Sequence, residues 1–150
     1  MITEMKNQDI KDVMNIWLNE NISAHGFIEK KYWLDNFENV KSAISNAEVY
    51  IYKSKEKICG FIGLEQNYIA GIFVDKSLQR KGIGKALLDH VKQKHDKLSL
   101  NVYEKNIGAV KFYKREDFEI SDESIDVTTG EKEYLMTWQR KGGGIHEIKY

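Results

Sequence analysis

The chain of 150 residues contains no proline. Its turns must therefore be made by Gly, Asn, Asp and Ser. Cysteine is almost as scarce. The single Cys59 excludes an internal disulfide, and its place in an apolar strand pattern reads as a buried structural thiol rather than a reactive one. Four histidines and one cysteine are scattered without ligand spacing, so no metal site is predicted. Charge of one sign is not in excess: 23 basic residues balance 23 acidic ones. That balance argues against a nucleic-acid partner, which needs a basic face. Long apolar runs are lacking too, and no stretch approaches the length of a membrane span. The first residues, Met1 to Lys6, lack the apolar centre of a secretion signal. These absences predict a soluble cytoplasmic protein with no membrane or nucleic-acid partner.

What is present is the length of one domain, which can bury roughly 70% of its unfolded surface and needs no disulfide or metal to fold. The domain is assigned to residues 1–140, with 141–150 a flexible tail opened by three glycines, Gly142 to Gly144. Ile10, Val13, Met14, Trp17 and Leu18 recur at helical spacing and predict an amphipathic helix after Asn7. Tyr32, Trp33, Phe37, Val40 and Ile44 predict a second helical region in two pieces. Strands follow at 49–52, 58–65 and 68–74, joined by short polar turns and so antiparallel. A helix carrying Ala86, Leu87, Leu88 and Val91 comes next, then a strand at 98–103 and a short helix at 106–114. The last strands lie near 118–120 and 133–138. The order β-α-α-β-β-β-α-β-α-β-β describes an α/β (α+β) fold: a mixed, mostly antiparallel sheet with helices on both faces.

The segment between the third hairpin strand and its helix is Gln79-Arg80-Lys81-Gly82-Ile83-Gly84-Lys85. A helix start offers amides with no internal partner and the positive end of the dipole. Gly82 and Gly84 let the backbone approach an oxygen-rich group, and Arg80, Lys81 and Lys85 add positive charge. A pyrophosphate suits this loop, although two glycines alone also suit a solvated turn. Other phosphate loops fail in detail. A P-loop needs Gly at position 79 and Ser or Thr at 86, where Gln79 and Ala86 stand; a dinucleotide fingerprint needs Gly at 87, which is Leu87.

Gln79 to Gly84 resembles the Q/R-x-x-G-x-G/A pyrophosphate motif of the GNAT superfamily of N-acetyltransferases. Asn106-Ile107-Gly108-Ala109-Val110-Lys111-Phe112-Tyr113 is similar to its second motif, N-x-x-A-x-x-F/L-Y. Element order extends the resemblance over residues 2 to about 138. Ile16-Trp17, Ala24-His25 and Thr129-Gly130-Glu131-Lys132 further resemble the small single-domain bacterial YjaB-type branch.

The resemblance implies acetyl-CoA as acetyl donor. It implies a pantetheine arm held by the backbone of Ile72, Phe73 and Val74, whose other role is ordinary core, and a pyrophosphate held by residues 79–85. Asn106 is implied at the cofactor arm and equally suits a helix N-cap. Tyr113 is implied as the acid that protonates the leaving thiolate; without the motif it would read as a core aromatic beside a core Phe112. Departures exist. Lys76 replaces a frequent Pro, and Asp117 replaces a Gly that closes the last helix, a place whose left-handed backbone Asp tolerates. Asn101 stands where some peptide-acetylating relatives carry a Glu base. Glu65 and His25 are the remaining candidates for that base, against the alternatives of a solvated strand end and a loop-shaping ring. His90 and His95 read as solvent-facing.

The function this predicts is transfer of an acetyl group from acetyl-CoA to a primary amine by direct attack, in a monomer or homodimer. Residues 25–28, Tyr32, Trp33 and residues 121–131 would wall the acceptor, whose entry is implied between two parted strands. An aromatic, mildly polar wall favours a small-molecule amine or amino acid over a protein amine. Two other classes stay open: a non-catalytic acetyl-CoA-binding sensor, and an interaction module whose glycine loop is incidental.

Overall fold

The structure is a computed structural model and describes residues 1–141. The tail predicted at 141–150 therefore lies, except for Lys141, outside the described residues. Contacts divide the chain into two compact units, Met1–Leu88 and the residues from Asp89 onward.

In the first unit, β1 (Ile2–Glu4), β2 (Glu48–Ser54), β3 (Lys57–Glu65) and β4 (Tyr68–Val74) pair antiparallel in chain order. β3 is buried without interruption from Ile58 to Leu64, so its sequence is a continuous apolar run rather than an alternating one. It contains Cys59, which is buried as its pattern predicts. Lys55 and Glu56 make the turn into β3 with left-handed backbones, φ 51° and 69°, the hand that matches strand twist in a two-residue hairpin. At Gly60 a Cβ would stand 2.7 Å from the Phe73 carbonyl oxygen, so the close approach of β3 to β4 requires glycine there.

Helices α1 (Ile10–Ala24) and α2 (Lys30–Ser45) pack on one another. Val13, Met14, Ile16 and Trp17 supply the buried stripe of α1, and Trp17 sets its ring edge-on to Trp33 at 6.0 Å and Phe37 at 6.2 Å. The two pieces predicted for the second helical region are one helix. No Gly or Pro interrupts Lys30–Ser45, and its four turns bury Trp33 and Ile44 along one side.

Helix α3 (Ile83–Lys92) leads from the first unit into the second, where β5 (Lys97–Tyr103), α4 (Ile107–Arg115), β6 (Glu119–Ile125) and β7 (Lys132–Gln139) follow. The strands pair antiparallel in the order β5-β7-β6. β6 is longer than the 118–120 predicted. Residues 121–125, which lie beyond the predicted strand and in the segment 121–131 expected to wall the acceptor, are strand and exposed throughout. They form an edge strand whose polar residues carry no apolar signal but whose backbone bonds to β7. Asp117 adopts φ 72°, the left-handed closure its position predicts.

Lys92 donates to the Glu116 carbonyl at 2.6 Å and lies over the rings of Phe118 and Trp138, at 5.7 and 5.1 Å. Arg140 donates to the carbonyls of Lys92 and His95 and to Asp96, closing the end of α3. His90 and His95, expected to face solvent, are half-buried, because the end of α3 is covered in this way. Phe112, expected in the core, is half-buried while Tyr113 beside it is buried; α4 turns its inner face to Val110 and Tyr113.

Candidate active site

The loop after β4 is ordered by its own polar groups. Asp75 caps a short 3-10 turn, accepting from the Ser77 amide at 3.0 Å and the Ser77 hydroxyl at 2.8 Å, and these bonds hold its carboxyl below the ordinary range. Glu20 of α1 then accepts the Lys76 amide at 3.0 Å and the Gln79 side-chain amide at 2.8 Å. Burial pushes the Glu20 carboxyl up, with Asp75 adding to the effect, against the opposing bonds from Lys76 and Gln79. Gln79 also donates to the Val74 carbonyl at 3.0 Å. Glu20 lies 59 residues from Gln79 in the chain, and nothing in the local sequence marked it.

Beyond Gln79 the backbone turns left-handed at Arg80, φ 66°, and at Gly82, φ 83°. A Cβ at Gly82 would meet nothing within 4 Å, so the loop presents open backbone there. The first α-helical bond of α3 is donated by Ala86 to Gly82 at 2.9 Å, which leaves the amides of Ile83 and Gly84 at an uncapped helix end. Arg80, Lys81 and Lys85 are exposed around it, and neither Arg80 nor Lys81 has an acidic partner among the described residues. Open amides, a helix dipole and unpaired cations fit a diphosphate. The approach to this loop is equally open: Ile72, Phe73 and Val74 are apolar, yet each is only half-buried. They are less enclosed than an ordinary core strand.

Of the two residues expected as bases, Glu65 lies apart from that end of β4. Glu65 is exposed where β3 turns into β4, paired in register with Tyr68, about 13 Å along the strand from Ile72. His25 caps the C-terminus of α1 and stacks on Trp33 at 5.3 Å, with Phe27 edge-on at 5.6 Å. Burial pushes its pKa below the ordinary 6.5.

In the second unit Asn106 is the N-cap of α4, its side-chain oxygen accepting from Ala109 at 3.3 Å. Tyr113 lies two turns further along, buried, with its ring edge-on to Phe118 at 5.6 Å. Among the described residues no group of His, Cys, Asp and Glu has the arrangement of a metal site, and no helix is long and apolar enough to cross a membrane.

Residues 4–137 match the model of the acetyltransferase (GNAT) domain family. The chain belongs to this family. The acetyltransferase is 34% identical over 140 residues to the peptidyl-lysine N-acetyltransferase YiaC of Escherichia coli, covering 92% of this chain and 96% of that protein. It is 24% identical to the peptidyl-lysine N-acetyltransferase YjaB of the same organism, over 82% of this chain and 84% of that protein. The solution structure of apo YjaB matches it with a TM-score of 0.81 at 22% identity, over 92% of this chain and 96% of the other. The mixed fold of seven mostly antiparallel strands and four helices is thus the fold expected from the resemblance. A putative streptothricin acetyltransferase of Bacillus anthracis in complex with acetyl coenzyme A matches 63% of the chain and 62% of the other at TM-score 0.57 and 28% identity. Acetyl-CoA is the donor on which this family of acetyltransferases works.

Proposed function

We propose that the protein transfers an acetyl group from acetyl-CoA to the side-chain amine of a lysine in a protein or peptide. The observation that carries the donor half of this reading is the open, cation-rich loop at the start of α3, with Gly82 at φ 83° and Arg80 and Lys81 unpaired by acids. Residues 79–85 would hold the diphosphate and the backbone of Ile72, Phe73 and Val74 the arm, and the motif at Asn106 implies that residue as a further contact to the cofactor. Acetyl-CoA supplies an acyl group activated as a thioester. Tyr113 gives a proton to the departing sulfur; a phenol is matched in basicity to that task. Cys59 is 2% exposed, so the one thiol of the chain is not offered for an acyl-enzyme, and direct attack by the amine follows.

The names of YiaC and YjaB move the acceptor from the small amine favoured by the aromatic wall to a lysine carried by a protein. The open strand 121–125 supports the same choice, since it leaves that side of the second unit less enclosed than a loop folded over a small molecule would. The test is release of free thiol from acetyl-CoA with a panel of amines: an N-terminally blocked lysine peptide, free lysine, and simple alkylamines. Acetylation of the blocked peptide at the highest kcat/KM is the expected result. Turnover confined to the small amines would return the acceptor to the small-molecule class, and no turnover with any amine, in a protein that acetyl-CoA still stabilises, would make it a sensor.

A further inference from the structure

An alkyl ammonium with an ordinary pKa near 10.4 must lose a proton before it can attack a thioester at neutral pH. The two expected bases are poorly built for that. Glu65 is exposed at a hairpin, and His25 is half-buried between the rings of Trp33 and Phe27. Glu20 is half-buried, but its oxygens are occupied by Lys76 and Gln79. Two more carboxylates in the described residues are held half-buried in a strand: Glu48, which accepts from the Tyr50 hydroxyl at 2.6 Å, and Glu133.

Glu133 lies on β7 directly across from Tyr103 of β5, with Asn101 on the diagonal. Paired residues of an antiparallel ladder share a face, so Asn101, Tyr103 and Glu133 stand together, opposite the buried face of Leu98, Leu100, Val102 and Met136. The Asn101 side-chain nitrogen is 3.5 Å from a Glu133 oxygen, which leaves the carboxylate close to a donor but not fully engaged. Tyr113 belongs to the other side of β5. Its ring meets Phe118, Phe118 shares the Lys92 ammonium with Trp138, and Trp138 pairs with Leu98. A proton acceptor and a proton donor thus flank one strand.

We propose that Glu133 is the general base of acetyl transfer, taking the proton of the acceptor ammonium directly or through one water. The assignment rests on the reading of the chain as an amine acetyltransferase. The amine so freed forms the C–N bond as the thioester C–S bond breaks. The second proton shed by nitrogen replaces the one that Tyr113 gives to sulfur, and the proton on Glu133 returns to solvent, so one proton is released per turnover.

The electrostatics agree with the geometry. Burial and the neighbouring Asp126 raise the Glu133 carboxyl above the ordinary carboxylate range. Burial acts in the same direction on Asp126, but the Tyr103 hydroxyl at 2.7 Å and bonds from Thr128 and Thr129 hold that carboxyl down, so Asp126 stays ionised. Two carboxylates pushed apart in this way have separate tasks. Of the cations nearby, Lys132 is paired with Glu104 and Glu123 on the opposite face, and Lys105 with Glu131.

The experiment compares wild type with Glu133→Gln and Asp126→Asn, using whichever amine of the panel is acetylated fastest. In Glu133→Gln, kcat/KM falls about 100-fold or more and loses its acid limb, while stabilisation by acetyl-CoA is unchanged. Carbon-13 NMR of labelled glutamate carboxyls gives a readout that needs no acceptor. The resonance missing from Glu133→Gln should titrate above the ordinary 4.3 or so in wild type, and lower in Asp126→Asn, which removes a like charge. The acid limb of Asp126→Asn should move down with it. An acid limb retained in Glu133→Gln, or a Glu133 resonance that titrates at the ordinary value, overturns the proposal. Acetylation of small amines only, with the limb still lost, sinks the lysine acceptor and leaves the base in place; no turnover with any amine overturns both.

Discussion

The Gln79 side chain turns back from its loop to α1, its amide nitrogen 2.8 Å from Glu20 and 3.0 Å from the Val74 carbonyl. One carboxylate of α1 therefore holds the loop where it leaves β4. Glu20→Ala should weaken acetyl-CoA binding about five- to tenfold, the loss expected for partly exposed hydrogen bonds to a charged group. Isothermal titration with acetyl-CoA measures it. An unchanged Kd would mean that the loop holds its shape without α1.

Gly84 stands in the first turn of α3, where a diphosphate would approach the backbone. A ligand that binds only the folded protein raises the Tm by mass action, and acetyl-CoA should do so for the wild type. Gly84→Val should fold and lose that shift, since a branched side chain at the helix start fills the approach. A full shift in this variant would place the donor elsewhere.

Tyr113→Phe keeps the ring that packs on Phe118 and removes only the hydroxyl. Turnover should fall about 100-fold, within the usual range for one acid–base group, with acetyl-CoA affinity nearly intact. Steady-state kinetics alongside a thermal shift separates the two effects. Wild-type turnover would return Tyr113 to a purely packing role.

His25 has a folded-state pKa below its ordinary 6.5 because the ring is withdrawn from water. The unfolded chain then binds this proton more readily than the folded one, so stability is full above pH 6.5 and falls as pH drops through the lowered value. His25→Phe keeps a ring against Trp33 and cannot titrate. Urea unfolding at a series of pH values should show a shallower loss of stability on the acid side for this variant. Parallel curves would mean that the ring charges without cost in the fold.

The strand run 68–74 coincides with β4, and the helix stripe of Val13, Met14 and Trp17 is buried as its spacing requires. Such elements are legible because a buried face imposes its period on the residues that form it. The break predicted inside α2 and the short β6 mark the limits of that signal. α2 buries only Trp33 and Ile44, and β6 is exposed along its whole length. Neither has enough of an apolar face to declare its own extent.

The site divides in the same way. Gly82, Gly84 and the cations between residues 80 and 85 are neighbours in the chain, so local sequence by itself supplied the motif whose resemblance carries the expectation of acetyl-CoA. The left-handed Asp117 and the Asn106 cap belong to that class too, since each depends only on a few adjoining residues. Glu20 and Glu133 do not. Their partners are 56 to 59 residues away in one case and 32 in the other, and a one-residue slip of β7 against β5 would turn Glu133 to the opposite face. Which carboxylate orders the loop, and which is half-buried beside an acid that keeps its charge, are consequences of helix packing and strand register; only the tertiary structure decided them.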